Sequence, residues 1–383
     1  RGAITVIVPM PPSYRGGTEE YAYQLVRSYA AGRPVHVVTT SVRWTGDAHA
    51  LDIGAATLER IPGREVFERP VVFGPRAAAR LRAAIARSSV VQLHMPFPWV
   101  ERRVTAWARR AGVPSVLTYH MDAEFGDAAS LRSRVVTGAY RAVSAEAALD
   151  RCTVVVSNSR GYARASPVLS RHLDKVRVIY QGIDVARMRR PAEGAEAVPP
   201  RSDGVARIVF VGRLVGYKGL PDLLAAVASL GRRGRRAELL IGGRGPELGR
   251  LQALAGSLGL DGAVRFLGFV PDAAVGGLYA SADVVACPSV SLLESTPITL
   301  QEAMAFGTPV VGTTLPGTEE TVPDDGRRGR LVAPHDPEAL GRALEELIDA
   351  GRPAGPAPGR SWDDTARDYL ALFDELVRRP GAG

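Results

Sequence analysis

The sequence predicts an α/β protein of two domains, each built around a doubly wound parallel sheet. Three observations lead to this prediction. The 383 residues exceed what a single hydrophobic core ordinarily organises. Short apolar, β-branched runs alternate with longer amphipathic stretches, as in parallel sheets that helices cover on both faces. This alternation stops once, in a proline-containing segment at 186–205, and then starts again.

The first series of strands and helices occupies residues 1–185. Its strands are predicted at Ile4–Val8, Val35–Thr39, Val90–Leu93, Ser115–Tyr119, Thr153–Val156 and Val176–Ile179. Its helices are predicted at Glu19–Ala30, Pro75–Ala86, Trp99–Ala111 and Leu131–Leu149. Because helices separate these strands, the strands are expected to run parallel to one another.

The second series occupies residues 206–362. The segment before it, 186–205, has three prolines, mixed charge and few apolar residues, which is typical of an interdomain linker. Strands are predicted at Ile208–Val211, Leu239–Ile241, Val264–Leu267, Val284–Ala286 and Val310–Gly312, and a last helix at Asp363–Arg378. We therefore expect two α/β domains facing across a cleft. Ligands of open α/β sheets bind beyond the carboxyl ends of the strands, so those positions are the ones to inspect.

The net charge of +8 would by itself suggest a nucleic acid or a membrane as partner. Only two of the 48 basic residues are lysines, however, namely Lys175 and Lys218, so most of the excess is attributed to a drift toward arginine. Aromatic residues make up 6% of the chain, too few for a surface where bases stack among cations. We expect no nucleic-acid partner.

The cysteines and the hydropathy bear on the compartment. Cys152 and Cys287 are far apart and lie in no CxxC motif, which fits a reducing cytoplasm and excludes a disulfide scaffold. No apolar run approaches the roughly 18 residues of a spanning helix. A cytoplasmic location is therefore expected.

Glycines and cations follow the first strand of each half. Gly16 and Gly17 precede a helix that we expect to begin at Thr18 as N-cap, and a glycine pair there is either a simple turn or a site for an anion or a carbonyl oxygen. Arg213 and Lys218 stand five positions apart on a glycine-rich turn. Two fixed cations beside such a turn suit a diphosphate, whereas the alternative is a solvated basic loop.

Two glutamates flank the start of a helix near the end of the second half. Thr296 is predicted to be its N-cap and Pro297 its first residue, and Gly307 should end it. Glu294 then lies in the loop and Glu302 on the helix. Carboxylates accept hydrogen bonds from hydroxyl groups, which suits ribose and hexose. Either glutamate alone would more simply be a cap or a surface charge.

Two histidines, His94 and His120, each follow a predicted strand of the first half. Two histidines at strand ends facing one cleft would be functional candidates, whereas either one alone is better interpreted as a packed core residue. The glycines at Gly243, Gly245 and Gly249 have the spacing GxGxxxG, so they are a weak nicotinamide motif. No HExxH, CxxC or DxD motif occurs, and no metal is expected.

The second half resembles the retaining, GT-B-fold glycosyltransferases of family 4 (glycosyl transferases group 1). The resemblance rests on GRLVGYKG, IGGRGPEL, FLGFVP, ADVVACPS, the Glu294-x7-Glu302 spacing, AMAFGTPVV, GTEETV, LVAPHDPEAL and SWDDTARDYLALF. In the first half RGG, HMPFP, TYHMD, SPVLSRHLDKVRVI and GID are also similar to that family. The resemblance thus covers nearly the whole chain.

The resemblance implies a role for each matching position. Arg213 and Lys218 would bind the donor diphosphate, Glu302 the ribose and Glu294 the donor sugar. His120 would face the transferred sugar. The remaining donor contacts would come from Gly16, Gly17, Gly243, Thr296, Pro297, Ile298 and Thr299, and the acceptor side would include His94 and Tyr119.

Two structural features also come from the resemblance. Many family members have glycine where Pro297 stands, and proline removes the backbone N–H that glycine offers a donor sugar. The C-terminal segment 363–383 would pack back on the first domain, an acceptor-binding domain, while 206–362 would bind the donor.

The reaction implied by the resemblance is transfer of a hexosyl unit from a UDP- or GDP-sugar to an acceptor hydroxyl, with retention of configuration. His120, Glu294, Arg213 and Lys218 would form the catalytic group, without cofactor or metal. A nucleotide-sugar hydrolase or epimerase on the same architecture is the alternative. A lipid-linked acceptor would favour a weak peripheral membrane contact through arginine-rich helices such as Arg76–Arg87 and Glu101–Arg110, which are otherwise interpreted as solvated faces.

Overall fold

The computed structural model describes residues 2–11, 17–42, 53–66, 69–72, 74–125, 130–189 and 198–378. The chain forms two compact units. One comprises Arg1–Gln181 together with Trp362–Gly383, and the other comprises Gly182–Ser361. The first residues of the segment predicted as a linker, 186–205, are part of a short helix of the second unit, α7 (Val185–Met188), and residues 190–197 lie outside the described ranges.

The first unit contains a seven-stranded parallel sheet. Across the sheet the strands are ordered β3-β2-β1-β6-β7-β8-β9. Their bounds are β1 (Ile4–Val8), β2 (Val35–Thr40), β3 (Thr57–Ile61), β6 (Val90–Met95), β7 (Ser115–Tyr119), β8 (Val154–Ser157) and β9 (Val176–Val178). An antiparallel hairpin, β4 (Gly63–Val66) and β5 (Arg69–Val72), precedes β6.

The helices of the first unit follow the strands much as predicted. They are α1 (Gly17–Ala30), α2 (Pro75–Ala86), α3 (Glu101–Arg110), α4 (Leu131–Tyr140), α5 (Glu146–Arg151) and α6 (Arg160–Ala165). The single helix predicted at Leu131–Leu149 is interrupted by a π-helical segment, Arg141–Ala145. The predicted Thr18 N-cap is wrong, because α1 already includes Gly17.

The C-terminal helix α14 (Trp362–Arg378) packs on the first unit. Tyr369 is buried, and its hydroxyl lies 3.1 Å from the Tyr21 hydroxyl and 3.2 Å from Thr118 Oγ1. Arg33 forms a two-pronged ion pair with Asp374 at 2.7–2.8 Å. The apolar stripe of this amphipathic helix is therefore covered by α1 and the sheet.

The second unit contains a six-stranded parallel sheet with the order β12-β11-β10-β13-β14-β15. Its strands are β10 (Ala206–Val211), β11 (Ala237–Gly242), β12 (Val264–Gly268), β13 (Val284–Cys287), β14 (Val310–Thr313) and β15 (Gly329–Val332). Besides α7, its helices are α8 (Leu220–Arg232), α9 (Leu248–Ser257), α10 (Asp272–Ser281), α11 (Ile298–Ala305), α12 (Pro316–Glu319) and α13 (Pro337–Ala350).

Both faces of the second sheet are covered, which explains why its strands are almost continuously apolar. Ile208 and Phe210 of β10 point to the face packed by α8 and α13. Val209, between them, points to the opposite face, which also holds Tyr279 and Leu300. Two apolar cores thus fix the sheet and direct the loops at the carboxyl ends of its strands. The prediction of two parallel-sheet α/β domains is confirmed.

None of the helices in the described ranges is both long and apolar enough to cross a membrane.

Candidate active site

The loop that follows β10 is held close to the loop that follows β11. The Gly212 amide donates to the Gly242 carbonyl at 2.9 Å, and the Leu214 amide donates to the Arg244 carbonyl at 2.9 Å. Gly243 has a φ of 144°, and a Cβ at this position would collide with the Gly212 carbonyl oxygen. Since only glycine permits this approach, Gly243 serves to join two glycine-rich loops.

The same β10 loop also touches the loop that follows β13. Gly219, with a φ of 66°, stands between the short 3-10 turn that ends at Lys218 and helix α8. A side chain at Gly219 would collide with the Pro288 carbonyl oxygen. The Val290 amide donates to the Tyr217 carbonyl at 2.8 Å. Because β10 and β13 are neighbours in the sheet, their loops form one continuous surface at its carboxyl edge.

Lys218 and Glu294 form an ion pair at this edge. The Lys218 ammonium contacts Oε2 of Glu294, and the two side chains are only 12% and 10% exposed. Burial acts to lower the pKa of Lys218, but the Glu294 carboxylate, together with Cys287 and Tyr217, holds that pKa above its ordinary value. The ammonium also lies 5.5 Å from the centre of the Tyr217 ring. Two residues predicted for different parts of the donor are thus in direct contact.

Glu294 is held by further side chains of the β13 loop. Ser289 Oγ donates to Glu294 Oε2 at 2.8 Å, and Cys287 Sγ lies 3.8 Å from the same oxygen. Thr313 Oγ1 donates in turn to the Ser289 carbonyl. Burial raises the pKa of the Cys287 thiol, so it stays neutral. The Glu294 carboxylate is therefore oriented by the protein itself.

Arg213 differs from Lys218 in both exposure and charge balance. It is exposed and forms no hydrogen bond or ion pair with any residue that the structure describes. The positive charge of Lys218 is balanced by Glu294, whereas that of Arg213 is not. The β10 loop consequently offers an uncompensated guanidinium next to glycine backbone, an arrangement suited to phosphate oxygens.

Glu302 lies on α11, away from the ion pair. The buried Tyr279 hydroxyl, from α10, donates to Glu302 Oε2 at 2.9 Å. Burial, together with the Glu302 carboxylate, raises the pKa of Tyr279, so this hydroxyl remains a donor at every physiological pH. The carboxylate of Glu302 is thus oriented by a tyrosine that sequence reasoning did not identify.

The start of α11 corrects one prediction. Pro297, not Thr296, is the N-cap, and the helix begins at Ile298 with Thr299 as its second residue. Pro297 has a ψ of 96° and is extended. The preceding segment is held against helix α12, since a side chain at Gly317 would collide with the Ser295 carbonyl oxygen. This contact keeps the chain extended for one residue longer than predicted.

In the first unit, His94 and His120 are brought together. His94 Nδ1 lies 2.9 Å from His120 Nε2, and the two rings are stacked with an interplanar angle of 17°. Both are buried, and the Tyr21 ring packs edge-on against both. Burial lowers the pKa of His120 to about 3 and that of His94 well below its usual value, to which His120 adds. Both imidazoles are neutral at pH 7.

Tyr119 is committed to a hydrogen-bond network. Its buried hydroxyl donates to Asp122 Oδ1 at 2.8 Å. Asp122 also accepts from Ser166 Oγ at 3.0 Å and from the Tyr162 hydroxyl at 3.0 Å. Three hydroxyl donors thus satisfy one buried carboxylate, and the network fixes the loop after β7. The geometry gives Tyr119 a structural task, and its predicted acceptor contact stays a prediction.

Of the glycine pair after β1, only one member lies in the described residues. Gly17 is the first residue of α1, and Gly16 lies outside the described ranges. Within those ranges there is no group of three or more His, Cys, Asp or Glu side chains arranged to hold a metal ion.

Two family models match the chain. "Glycosyltransferase Family 4" matches residues 15–187, and "Glycosyl transferases group 1" matches residues 195–355. A D-inositol 3-phosphate glycosyltransferase from Acidothermus cellulolyticus is 30% identical, and the alignment covers 95% of this chain and 87% of that protein. The chain is a family 4 glycosyltransferase. The resemblance seen in its motifs is thereby confirmed.

A second curated relative aligns with this glycosyltransferase over a shorter span, and a solved structure superposes on nearly all of it. A D-inositol 3-phosphate glycosyltransferase from Corynebacterium jeikeium is 37% identical over 54% of this chain, and the chain spans about half, 53%, of that relative. Among solved structures, the Anabaena protein HepE in complex with UDP superposes with a TM-score of 0.67 at 17% identity, over 99% of this chain and 98% of that one. This likeness confirms the GT-B fold.

Sequence reasoning missed three residues that orient predicted site residues in this glycosyltransferase: Ser289, Tyr279 and Tyr21. Ser289 could have been found, because it follows a strand directly ahead of Glu294. Tyr279 lies in the middle of an apolar helix, and Tyr21 lies on α1. Nothing in their local sequence sets them apart from ordinary core aromatic residues.

Proposed function

We propose that the protein transfers a hexosyl unit from a nucleotide diphosphate sugar, UDP- or GDP-linked, to an acceptor hydroxyl with retention of configuration. The observation that carries this proposal is the charge arrangement of the β10 loop. Arg213 is exposed and uncompensated, while Lys218 stands nearby on the same loop, already oriented by Glu294. A diphosphate is the ligand that best uses one guanidinium and one ammonium beside glycine backbone.

The role of the ion pair follows from its charges. Glu294 neutralises Lys218 within the second unit. A donor diphosphate would supply new anionic partners for Lys218 and Arg213, which leaves the Glu294 carboxylate able to accept hydrogen bonds from sugar hydroxyls. Ser289 would hold Glu294 in place during this exchange, since its hydroxyl is an independent donor to the same oxygen. The pair is thus a preformed half of the donor site.

The proposed chemistry is a same-face displacement. The bond from the anomeric carbon to the diphosphate oxygen breaks, and a bond from that carbon to the acceptor oxygen forms. The leaving phosphate takes the proton of the acceptor hydroxyl. Arg213 and Lys218 would stabilise the negative charge that develops on the diphosphate, and such preorganised electrostatic stabilisation is often the largest catalytic contribution. Glu294 takes no covalent part.

Glu302 would bind the ribose hydroxyls of the nucleotide. Its carboxylate is fixed on α11 by Tyr279, so its position does not depend on the donor. Carboxylate oxygens accept from vicinal hydroxyls well. Since several relatives are named D-inositol 3-phosphate glycosyltransferases, a phosphorylated polyol is the first acceptor to test, followed by lipid-linked polyols.

The first experiment compares thermal shifts with UDP-, GDP-, ADP- and dTDP-sugars, because a ligand that binds only the folded state raises the unfolding temperature. The donor so identified is then incubated with and without candidate acceptors. Product appearing only with acceptor, with the donor's anomeric configuration by NMR, supports the proposal. Free sugar or an epimer formed from the donor alone would instead indicate the hydrolase or epimerase alternative.

Lys218→Ala tests the diphosphate assignment, and Lys175→Ala is its matched control. Lys175 is the other lysine of the chain, and its Nζ donates to backbone carbonyls of Leu149 and Asp150 in the first unit. We expect Lys218→Ala to lower turnover by about 10²-fold or more, as removal of one charge-stabilising donor does elsewhere, and to abolish the donor-induced thermal shift. Near-normal transfer by Lys218→Ala would refute the assignment.

A further inference from the structure

We propose that His94 is a positioning residue that holds His120 in its neutral Nδ1–H tautomer, so that His120 presents an N–H donor to the transferred sugar. The contact between His120 and the sugar rests on the proposed function. The tautomer itself rests on the geometry of the histidine pair alone. The acceptor contact that the family resemblance implies for His94 stays a prediction, and the inference does not depend on it.

The pair shares a single proton across its short contact. His94 Nδ1 and His120 Nε2 are 2.9 Å apart, a normal hydrogen-bond distance. Two neutral imidazoles can make this bond in two ways. Either His94 donates from Nδ1 to His120 Nε2, or His120 donates from Nε2 to His94 Nδ1.

The far side of the His94 ring decides between them. Its Nε2 is buried and has no hydrogen-bond partner among the described residues. If His120 were the donor, His94 would carry its own proton on this Nε2, and a buried N–H would be left unpaired. If His94 is the donor, its Nε2 is a bare acceptor. Orphaned buried N–H groups are rarer in proteins than under-satisfied acceptors, so His94 donates.

Donation by His94 determines which ring nitrogen of His120 carries a proton. With Nε2 accepting from His94, the proton of a neutral His120 must be on Nδ1. This Nδ1 makes no hydrogen bond with any residue in the described ranges. Unlike His94 Nε2, it is not among the fully buried atoms there that have no partner, so its N–H can reach water or a ligand. Tyr21 packs edge-on against both rings and blocks a change of their tilt. His120 is therefore an oriented donor whose Nδ1–H has no acceptor among the residues that the structure describes.

A neutral donor suits the proposed reaction. It can donate to a hydroxyl oxygen of the sugar without placing a positive charge near an anomeric carbon that itself becomes positive. A cationic imidazole would repel that charge. His94 thus contributes to the reaction through the proton position on its neighbour.

The tautomer can be measured without any activity. The protein labelled with ¹⁵N-histidine is examined by long-range ¹H–¹⁵N NMR, which distinguishes protonated from bare ring nitrogens, and the His120 signals are assigned by their loss in His120→Gln. We expect His120 to show a protonated Nδ1 and a bare Nε2. The opposite pattern overturns the inference, whatever the enzyme's activity.

The functional effect is tested by two variants of equal shape. Asn and Leu are nearly isosteric, so His94→Asn and His94→Leu leave the same cavity. The amide of His94→Asn can still donate near the original Nδ1 position, whereas His94→Leu cannot. We expect His94→Leu to lower kcat about tenfold, the value of one hydrogen bond near the upper end of its usual range, while His94→Asn stays within about threefold and donor KM changes little in both.

The outcomes separate the inference from the proposed function. Equal losses in the two variants would show that His94 acts only as packing, and an unchanged kcat in His94→Leu would show that it has no role. If the wild type transfers no sugar but has the expected tautomer, the proposed function fails and the histidine geometry stands.

Discussion

Removing the charge of Glu294 should destabilise the second unit in a way that depends on pH. The substitution Glu294→Gln keeps the size of the side chain and an acceptor for Ser289, whose Oγ lies 2.8 Å from Oε2. It leaves the Lys218 ammonium, 12% exposed, without its counter-charge. Breaking a buried ion pair by removing one partner costs about 3–5 kcal/mol. Because the amide still accepts a hydrogen bond, we expect about 3 kcal/mol at pH 7.

The direction in which stability changes with pH follows from burial and from Glu294, which shift the pKa of Lys218 in opposite directions. In the wild type, Glu294 holds the pKa of Lys218 above its unfolded value, so the stabilisation is complete below about pH 10.4 and is lost only as pH rises through the higher folded pKa. In Glu294→Gln the attraction of the carboxylate is lost, and burial, the largest single influence, then acts to lower that pKa. The unfolded state of the variant then binds more protons than its folded state. The free energy of unfolding of the variant therefore rises with pH, by up to about 1.4 kcal/mol per pH unit.

The assay must report on the second unit. All four tryptophans, at positions 44, 99, 107 and 362, belong to the first unit, so their fluorescence follows that unit only. Urea unfolding is therefore followed by far-UV circular dichroism as well as by fluorescence, at pH 7 and at pH 9.5. We expect the circular-dichroism transition of the variant to occur at a lower urea concentration than that of the wild type, and the fluorescence transition to move little. The difference in free energy of unfolding between variant and wild type should be smaller at pH 9.5 than at pH 7.

The control is Glu247→Gln, which makes the same chemical change at an exposed pair with Arg250, 73% exposed. Its cost should be within about 1 kcal/mol and independent of pH, as for other surface ion pairs. The reasoning is refuted if Glu294→Gln lowers the free energy of unfolding no more than this control does. It is also refuted if the difference in free energy of unfolding between Glu294→Gln and the wild type grows as pH rises from 7 to 9.5.

Two further predictions concern the donor site. Tyr279→Phe removes the hydroxyl that orients Glu302, so we expect donor affinity to fall about threefold to tenfold, the value of one hydrogen bond, with a smaller change in kcat. Tyr217→Phe, on the β10 loop, is the control, and equal effects of the two variants would contradict the ribose assignment. Treatment with EDTA followed by gel filtration should leave transfer unchanged, because the arginine and lysine supply the cationic charge; activity restored only by added Mg²⁺ or Mn²⁺ would show this expectation to be wrong.

The sequence was sufficient for the parts of the fold in which local pattern and burial agree. The strands of both sheets that are buried on both faces are apolar runs, and all of them were predicted. The missed strands have a different character. In β3, TLERI, the burial ranges from exposed to buried, and Thr57 and Arg60 are exposed at the sheet edge. In β15, glycine and arginine make up half of a four-residue strand. Neither has the signal of a core strand.

The candidate site was predicted residue by residue, but not its contacts. Lys218 and Glu294 are 76 positions apart, and they meet because β13 pairs with β10 although two strands and several helices separate those strands along the chain. Strand order is a tertiary property that periodicity does not encode. The N-cap of α11 was misplaced for a similar reason, since the contact between Gly317 and Ser295 that holds the chain extended joins helix α12 to the loop after β13.

Each of the two lysines of this arginine-rich chain makes its polar contacts through a single nitrogen, which bears on why position 218 is a lysine. At Lys175 a single nitrogen serves two carbonyl oxygens, of Leu149 and Asp150. At Lys218 a single nitrogen meets one carboxylate oxygen that already accepts from Ser289. A guanidinium has five donors in a rigid plane. In this nearly buried place it would leave several N–H groups without acceptors, each at a cost of about 1–3 kcal/mol. Arg213, which is exposed, carries no such cost, because water satisfies its unused donors. The difference between the two cations of the β10 loop therefore follows from their burial, and it is what allows one to be held by Glu294 while the other remains uncompensated.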